Sequence, residues 1–371
     1  MCALPIRESL KRIQVYAPAK STEETKRETN DRPVVRLAAN ENTLGFSPLV
    51  EQAIREAVST IHLYPDSFAT RLRAKLSAAR GFSPDRLLFG NGSFELLSLS
   101  AQAYLSPGDE AVIPVPSFGW YKVATLAAGG VPVEVPLRNH KIGLNDLKAA
   151  VTERTKLVWL CNPNNPTGTY YGEEELETFL ADLSPEIAVV VDEAYFEYVD
   201  QPDYPDTVKL LDRYPNLIAL RTFSKVYGLA GIRVGYAVAA EETIRTLNRL
   251  RLPPNVSALA QAAATASLDD TAFVQAVLDN NRAGKQYYYD SFRELGLSYL
   301  PTETNFLMVD LGFDSSSVFA ELLRQGVLVR PGSDFGMPSW LRISIGKPEE
   351  NRLVIEKLSE ALAVASSSSN K

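Results

Sequence analysis

Two short, nearly continuous apolar runs, Lys156–Cys161 and Ile187–Val191, flank a helical pattern over Glu173–Leu183. Runs of this length with no polar alternation fit strands buried on both faces, and a helix between two of them makes a parallel crossover. The same alternation recurs along the chain. A helix is expected over Pro48–Ile61, where Ala53, Ile54, Ala57, Val58 and Ile61 share one face, a strand over Arg86–Phe89, a helix over Glu95–Tyr104, and a strand over Ala111–Val115. Further strands are expected at Leu217–Phe223 and Val234–Ala239. The pattern predicts an α/β fold with a mostly parallel sheet sandwiched by helices.

Beyond Arg249 the character changes. Pro253-Pro254 interrupts the chain, and helical patterns follow over Ser257–Leu268 and Ala272–Leu295. Short strands at Asn305–Val309, Val327–Arg330 and Leu341–Ile345, with helices at Ser316–Gln325 and Glu349–Ala363, predict a smaller α/β domain reached through a long helix. The expected division is an N-terminal arm over 1–45, a large domain over 46–252, a small domain over 253–365, and a disordered serine-rich tail over 366–371.

The 371 residues carry a net charge of −7, which argues against nucleic acid as a general partner. Two cysteines, Cys2 and Cys161, and two histidines, His62 and His140, are too few for a zinc site, a disulfide framework or a histidine triad. No metal is expected. Neither a signal peptide nor an apolar run long enough to cross a bilayer is visible, and a cytoplasmic location is the expectation.

Polar constellations follow several of the proposed strands, where open α/β sheets bind their ligands. Asp192-Glu-Ala-Tyr195 follows Ile187–Val191. Its aspartate can pair with a cationic ring nitrogen, and it also fits a helix N-cap. The loop Cys161-Asn-Pro-Asn-Asn165-Pro-Thr-Gly168 is rich in turn formers and can present the Asn165 amide. Gly90-Asn-Gly-Ser93-Phe94 opens a helix and can bind an anion through backbone N–H groups. In Thr222-Phe-Ser-Lys225-Val-Tyr-Gly-Leu-Ala-Gly-Ile-Arg233, a lysine in apolar company can form a Schiff base with an aldehyde, while the hydroxyls and Arg233 can hold a phosphate. Arg342 sits in an apolar strand, Trp340–Gly346, and Arg330 precedes it in Leu328–Gly332. An anionic ligand or a structural salt bridge fits either arginine.

Together these segments, from about Tyr16 to Glu360, resemble the fold-type-I pyridoxal-phosphate aminotransferases, and most closely their histidinol-phosphate aminotransferase branch. The resemblance implies pyridoxal 5′-phosphate as cofactor, with Lys225 as its covalent anchor and proton shuttle and Asp192 as partner of the pyridine nitrogen. Tyr195 and Asn165 would contact the ring hydroxyl, and Phe118 would stack on the ring. Backbone at Ser93 and Phe94, with Thr222, Ser224 and Arg233, would hold the phosphate. Tyr64 would reach that phosphate from the neighbouring subunit of a homodimer. Asn40, Tyr16, Arg330 and Arg342 would face the substrate. Phe94 stands where many members carry an acid, and Phe118 where many carry tyrosine. The implied reaction is ping-pong transamination between histidinol phosphate, or an aromatic amino acid, and 2-oxoglutarate. A phospho-amino-acid decarboxylase and a non-catalytic cofactor-binding sensor are the alternatives.

Overall fold

The computed structural model describes residues 4–14, 23, 24, 27 and 33–369. After a short strand β1 (Val35–Arg36), seven strands form the main sheet: β2 (Leu87–Gly90), β3 (Glu110–Val115), β4 (Val131–Pro136), β5 (Thr155–Cys161), β6 (Ala188–Asp192), β7 (Leu217–Thr222) and β8 (Gly235–Ala239). Their order is β2-β8-β7-β6-β5-β3-β4. The pairs from β4 through β7 are parallel, and β8 runs antiparallel to both β7 and β2.

Every residue of β6, β7 and β8 is buried, which is why these strands read as largely apolar runs, with polar residues only toward the carboxyl ends of β6 and β7. Trp159, Val189, Val190, Ile218, Leu220 and Val238 form the centre of the first hydrophobic core. The helix Ser93–Tyr104 packs on β2, β5, β7 and β8, and its own Leu96, Leu97 and Leu99 are buried there. Burying one such side chain contributes roughly 1.5–3 kcal/mol before entropy is counted. Because β4 lies on one side of β3 and β5–β7 on the other, the chain changes direction across the sheet at β3. A crevice beyond the carboxyl ends of the strands is the geometric consequence.

The second core gathers Leu37, Tyr288, Phe292, Leu307, Val309, Leu341, Ile343, Val354 and Leu358. Its sheet contains β9 (Ser298–Tyr299), β10 (Phe306–Asp310), β12 (Arg330–Pro331) and β13 (Trp340–Ser344), in the order β12-β13-β10-β9. The helix Thr271–Glu294 links the two cores, with Val277 buried in the first and Tyr288 and Phe292 in the second.

Three differences from the sequence reading have physical causes. The strand expected over Val327–Arg330 divides into β11 (Val327–Leu328), parallel to β1, and β12, antiparallel to β13. The edge strand β4 contains Pro132 and Pro136, which mask a strand signal yet are tolerated where no neighbour needs the N–H. The last helix, Pro348–Ser369, extends into the serine stretch expected to be disordered. Serine costs only a fraction of a kcal/mol in a helix interior, so a turn already begun can continue through it.

One close backbone crossing fixes the loop after β7. Gly228 has φ +70°, and a Cβ there would run into the carbonyl oxygen of Gly45. Gly228→Ala is therefore expected to combine left-handed strain with a backbone clash and to cost at least about 2 kcal/mol. Thermal denaturation checks it, and an unchanged melting temperature would contradict the crossing.

Candidate active site

Asp192 ends β6, and Cys161, which ends β5, is its register partner. The Asp192 carboxyl is 3% exposed. Its Oδ2 accepts a hydrogen bond from the Tyr121 hydroxyl at 3.0 Å, while its Oδ1 is buried with no hydrogen-bond partner. Burial raises this carboxyl to about pH 6, against the pull of Tyr121, the Ala194 N–H and Lys225. An unsatisfied buried carboxylate oxygen is costly, and a cationic N–H donor is the group that would satisfy it.

Lys225 lies in the loop between β7 and β8, half-buried, and its Nζ donates to the carbonyl oxygens of Asn40 and Ala39 at 3.3 and 3.4 Å. The ammonium also faces the Tyr195 ring, 5.4 Å from its centroid. Burial, then the charge of Arg342, lowers the amine to about 8. A substantial neutral fraction is thus present near neutrality, as a nucleophile or base requires.

Asn40 is reached through β1. Leu37 N–H donates to Leu328 and Ser344 N–H to the Leu37 carbonyl, both at 2.8 Å, so this segment is stitched to the small sheet. Asn40 itself adopts φ +56°. Its side chain donates to the Tyr195 hydroxyl at 2.9 Å and accepts from Ser344 Oγ at 3.1 Å. Tyr195 is buried, and burial raises its hydroxyl well above the ordinary range, so it stays protonated. With the Asn40 amide as its donor, the Tyr195 hydroxyl keeps its own proton to give.

Arg342 is 6% exposed on β13. It donates to Asn165 Oδ1 at 2.6 Å and to the Ala38 carbonyl at 2.8 Å, and its guanidinium lies 5.2 and 5.0 Å from the Phe306 and Phe335 rings. Arg330 is the direct cross-strand partner of Arg342, and its Nε meets Asp334 at 2.6 Å. The register thus sets two arginines on adjacent strands, Arg330 ion-paired with Asp334 and Arg342 bonded to Asn165.

At the β7 end, Thr222 Oγ1 donates to Ser224 Oγ at 2.9 Å and accepts from the Ser224 N–H at 3.0 Å. Thr222 pairs in register with Gly235, and a Cβ on Gly235 would lie 2.8 Å from the Ser93 nitrogen. A Cβ on Gly92 would strike the Arg233 guanidinium. Glycine at both places lets the helix start, the hydroxyl pair and Arg233 approach one another. Gly92 precedes the helix with no side-chain cap, so its first N–H groups remain available to an anion.

Pyridoxal phosphate fits this arrangement on three counts: an unsatisfied buried carboxylate oxygen suited to a protonated ring nitrogen, an amine held near 8, and an uncapped helix start flanked by hydroxyls and an arginine. Phe118 lies between them, edge-on to Phe94 at 5.2 Å and to Tyr121 at 5.6 Å. Tyr64 stands apart, 93% exposed on the surface. Tyr16 lies outside the described residues. Cys161 is buried with its thiol pushed up to about 12, mainly by burial, so it is no nucleophile. Sequence reading passed over Tyr121 and Ser344. Tyr121 follows Phe118 by one helical turn, and that spacing was the available signal.

Asp192 carries a stability consequence. Its folded value of about 6 lies above the ordinary 3.8, so the folded chain binds the extra proton and stability falls as pH rises from about 4 through 6. Asp192→Asn is expected to stabilise the cofactor-free chain by about 1–3 kcal/mol at pH 8 and to lose that advantage near pH 4. Urea denaturation at the two pH values decides, and a uniform loss at both would refute the buried charge.

The sequence profile described as "Aminotransferase class I and II" matches residues 32–358. The chain is 46% identical over 360 residues to histidinol-phosphate aminotransferase 2 of Carboxydothermus hydrogenoformans, covering 97% of this chain and 99% of that protein. It is 47% identical over 358 residues to histidinol-phosphate aminotransferase of Moorella thermoacetica, covering 96% and 93%. Among solved structures, the histidinol-phosphate aminotransferase of Sinorhizobium meliloti in complex with pyridoxal-5′-phosphate superposes with a TM-score of 0.91 at 28% identity, covering 98% of this chain and 99% of that one. The chain belongs to the class I and II aminotransferase family.

Proposed function

We propose that this chain is a pyridoxal-phosphate-dependent aminotransferase whose amino donor is histidinol phosphate and whose acceptor is 2-oxoglutarate, in a ping-pong cycle. The observation that carries the substrate is the register pair Arg330–Arg342, two arginines on adjacent strands suited to a phosphate and, in the second half-reaction, to a dicarboxylate. Relatives named for histidinol phosphate at 46–47% identity over nearly the whole chain support the same reading.

When bound, pyridoxal phosphate supplies an electron sink for the carbanion formed at the substrate carbon. The residues divide the remaining work. Lys225 Nζ, held near 8 by burial and by Arg342, would anchor the cofactor, and its neutral amine would serve as the base for the proton on the carbon bearing the amino group. Asp192, whose Oδ1 is buried without a partner, would hold the ring nitrogen and keep it protonated. Tyr195 and Asn165 would address the ring hydroxyl, and Phe118 would cover the ring. Ser93, Phe94, Thr222, Ser224 and Arg233 would hold the phosphate. Asn40, fixed by Ser344 and Tyr195, and Arg342, fixed by Asn165 and Ala38, orient the substrate.

An aromatic amino acid is the second donor class. Phe306 and Phe335 flank Arg342, which gives a carboxylate clamp with apolar walls. Arg330 separates the two readings. Arg330→Ala is expected to lower kcat/KM for histidinol phosphate about 10- to 100-fold, as loss of a charge-assisted contact does, and to leave phenylalanine within about threefold. Single-turnover bleaching with each donor is the measurement, and equal losses would remove Arg330 from the phosphate.

The functional unit is a dimer in this reading. Tyr64 projects at 93% exposure beside Ile61 and Leu63, both about 60% exposed, an apolar edge suited to a second copy. Tyr64→Ala chains mixed with Lys225→Ala chains are expected to form hybrids in which one site regains native cofactor affinity. Unmixed behaviour, or a monomeric mass by light scattering, would defeat the shared site.

A further inference from the structure

The two oxygens of Asp192 differ: Oδ2 is held by the Tyr121 hydroxyl at 3.0 Å, and Oδ1 is held by nothing. What fixes that division lies on the helix Trp120–Ala128. The Tyr121 ring is fully buried and stacks on Trp159 at 5.3 Å with an interplanar angle of 9°. Trp159 is itself fixed, its indole N–H donating to Thr125 Oγ1 at 3.0 Å, one helical turn beyond Tyr121. The Phe118 ring closes another side of Tyr121, edge-on at 5.6 Å. A ring clamped in this way has one direction for its hydroxyl, and that direction is the carboxylate.

We propose that Tyr121 is a positioning residue that holds Asp192 ionised through Oδ2 and thereby presents Oδ1 to the protonated ring nitrogen of the cofactor. The inference rests on the cofactor assignment and not on the substrate.

Five groups act on the carboxylate through hydrogen bonding or charge: Tyr121 from its helix, Cys161 from β5, Glu193 and Tyr195 from the segment just past β6, and Lys225 from the loop after β7. Burial and the Glu193 charge favour the protonated acid, while Tyr121, the Ala194 N–H and Lys225 favour the anion. Tyr195 points its hydroxyl to Asn40 instead, and Cys161 stays a neutral thiol. The Lys225 contribution vanishes whenever its amine loses its proton, which transamination demands. The Tyr121 hydroxyl is the side-chain donor that stays. Burial also raises this hydroxyl well above its ordinary range, so it remains a donor at every working pH.

A purely space-filling aromatic would act identically without its hydroxyl, and that difference supplies the test. Tyr121→Phe keeps the stacked ring and removes only the oxygen. Dissociation of pyridoxal phosphate from the reconstituted enzyme is followed by absorbance from pH 5.5 to 8.5, beside an analogue whose ring nitrogen is replaced by carbon. The variant is expected to bind pyridoxal phosphate about tenfold more weakly near pH 6–7, with the acid-side midpoint of binding raised by about one pH unit. Its affinity for the nitrogen-free analogue is expected to stay within about twofold. Site-specific Tyr121→3-fluorotyrosine, a stronger donor on the same ring, is expected to move the midpoint downward. Equal weakening of both compounds, or no movement of the midpoint in either variant, would overturn the proposal.

Discussion

Burial of the Asp192 carboxyl opposite the Lys225 amine is the constraint around which the site is organised. Asp192 is buried and Lys225 half-buried, and burial pushes the acid up to about 6 and the amine down to about 8. Their values have moved toward each other, which is the pattern of a site that must hold a charge at one point and release a proton at another. The arrangement survives because β5, β6 and β7 supply a dry apolar core beneath it, with the charges confined to the strand ends. A second buried charge behind the site is fully matched: Arg221 Nε meets Glu193 Oε2 at 2.8 Å, and Thr207 donates to the other oxygen. The contrast is informative. Glu193 has a partner on each oxygen, whereas Asp192 Oδ1 has none.

Long-range contacts then make the site dependent on both cores. The bond from Arg342 to Asn165 spans 177 positions of sequence, and that from Ser344 to Asn40 spans 304. Asn40 bonds to Tyr195 from the large sheet and to Ser344 from the small one, while its carbonyl receives both Lys225 and the Asn305 amide. A shift of the small sheet relative to the large one would therefore alter the groups around the amine directly. Arg342, a residue of the small sheet, itself depresses the Lys225 amine.

Legibility in the sequence followed burial and punctuation. Strands β5, β6 and β7 were readable because burial on both faces leaves mostly apolar runs, Leu157–Cys161, Ala188–Val191 and Leu217–Leu220, and Asp192 and Thr222 were readable because they lie at the ends of such strands. Lys225 was conspicuous as a cation among Phe223, Val226 and Tyr227, all buried in the fold. Strand β4 was not readable, since two prolines imitate a loop. The division of 327–331 between two sheets is decided by β1, a partner nearly 300 residues away that leaves no local mark. Tyr121 was hidden for a related reason. Its apolar ring satisfies the helix pattern, and only the three-dimensional position of its oxygen reveals a hydrogen bond to a carboxylate 71 positions later.

Several features that cost this chain free energy belong to the candidate site: the buried Asp192 carboxyl, the helix start without a cap at Gly92, the left-handed Arg233 at φ +64° and the half-buried Lys225. Each has a complement on a single small molecule: a ring cation for the acid, a phosphate for the helix start and Arg233, an aldehyde for the amine. Ligand binding to the folded chain alone adds RT ln(1 + [L]/Kd) to stability, about 4 kcal/mol at a thousandfold excess over Kd. That gain is comparable with the cost of leaving one buried charge and a few N–H groups unmatched. A bound cofactor would therefore offset the costs that the core of β5–β7 otherwise has to tolerate.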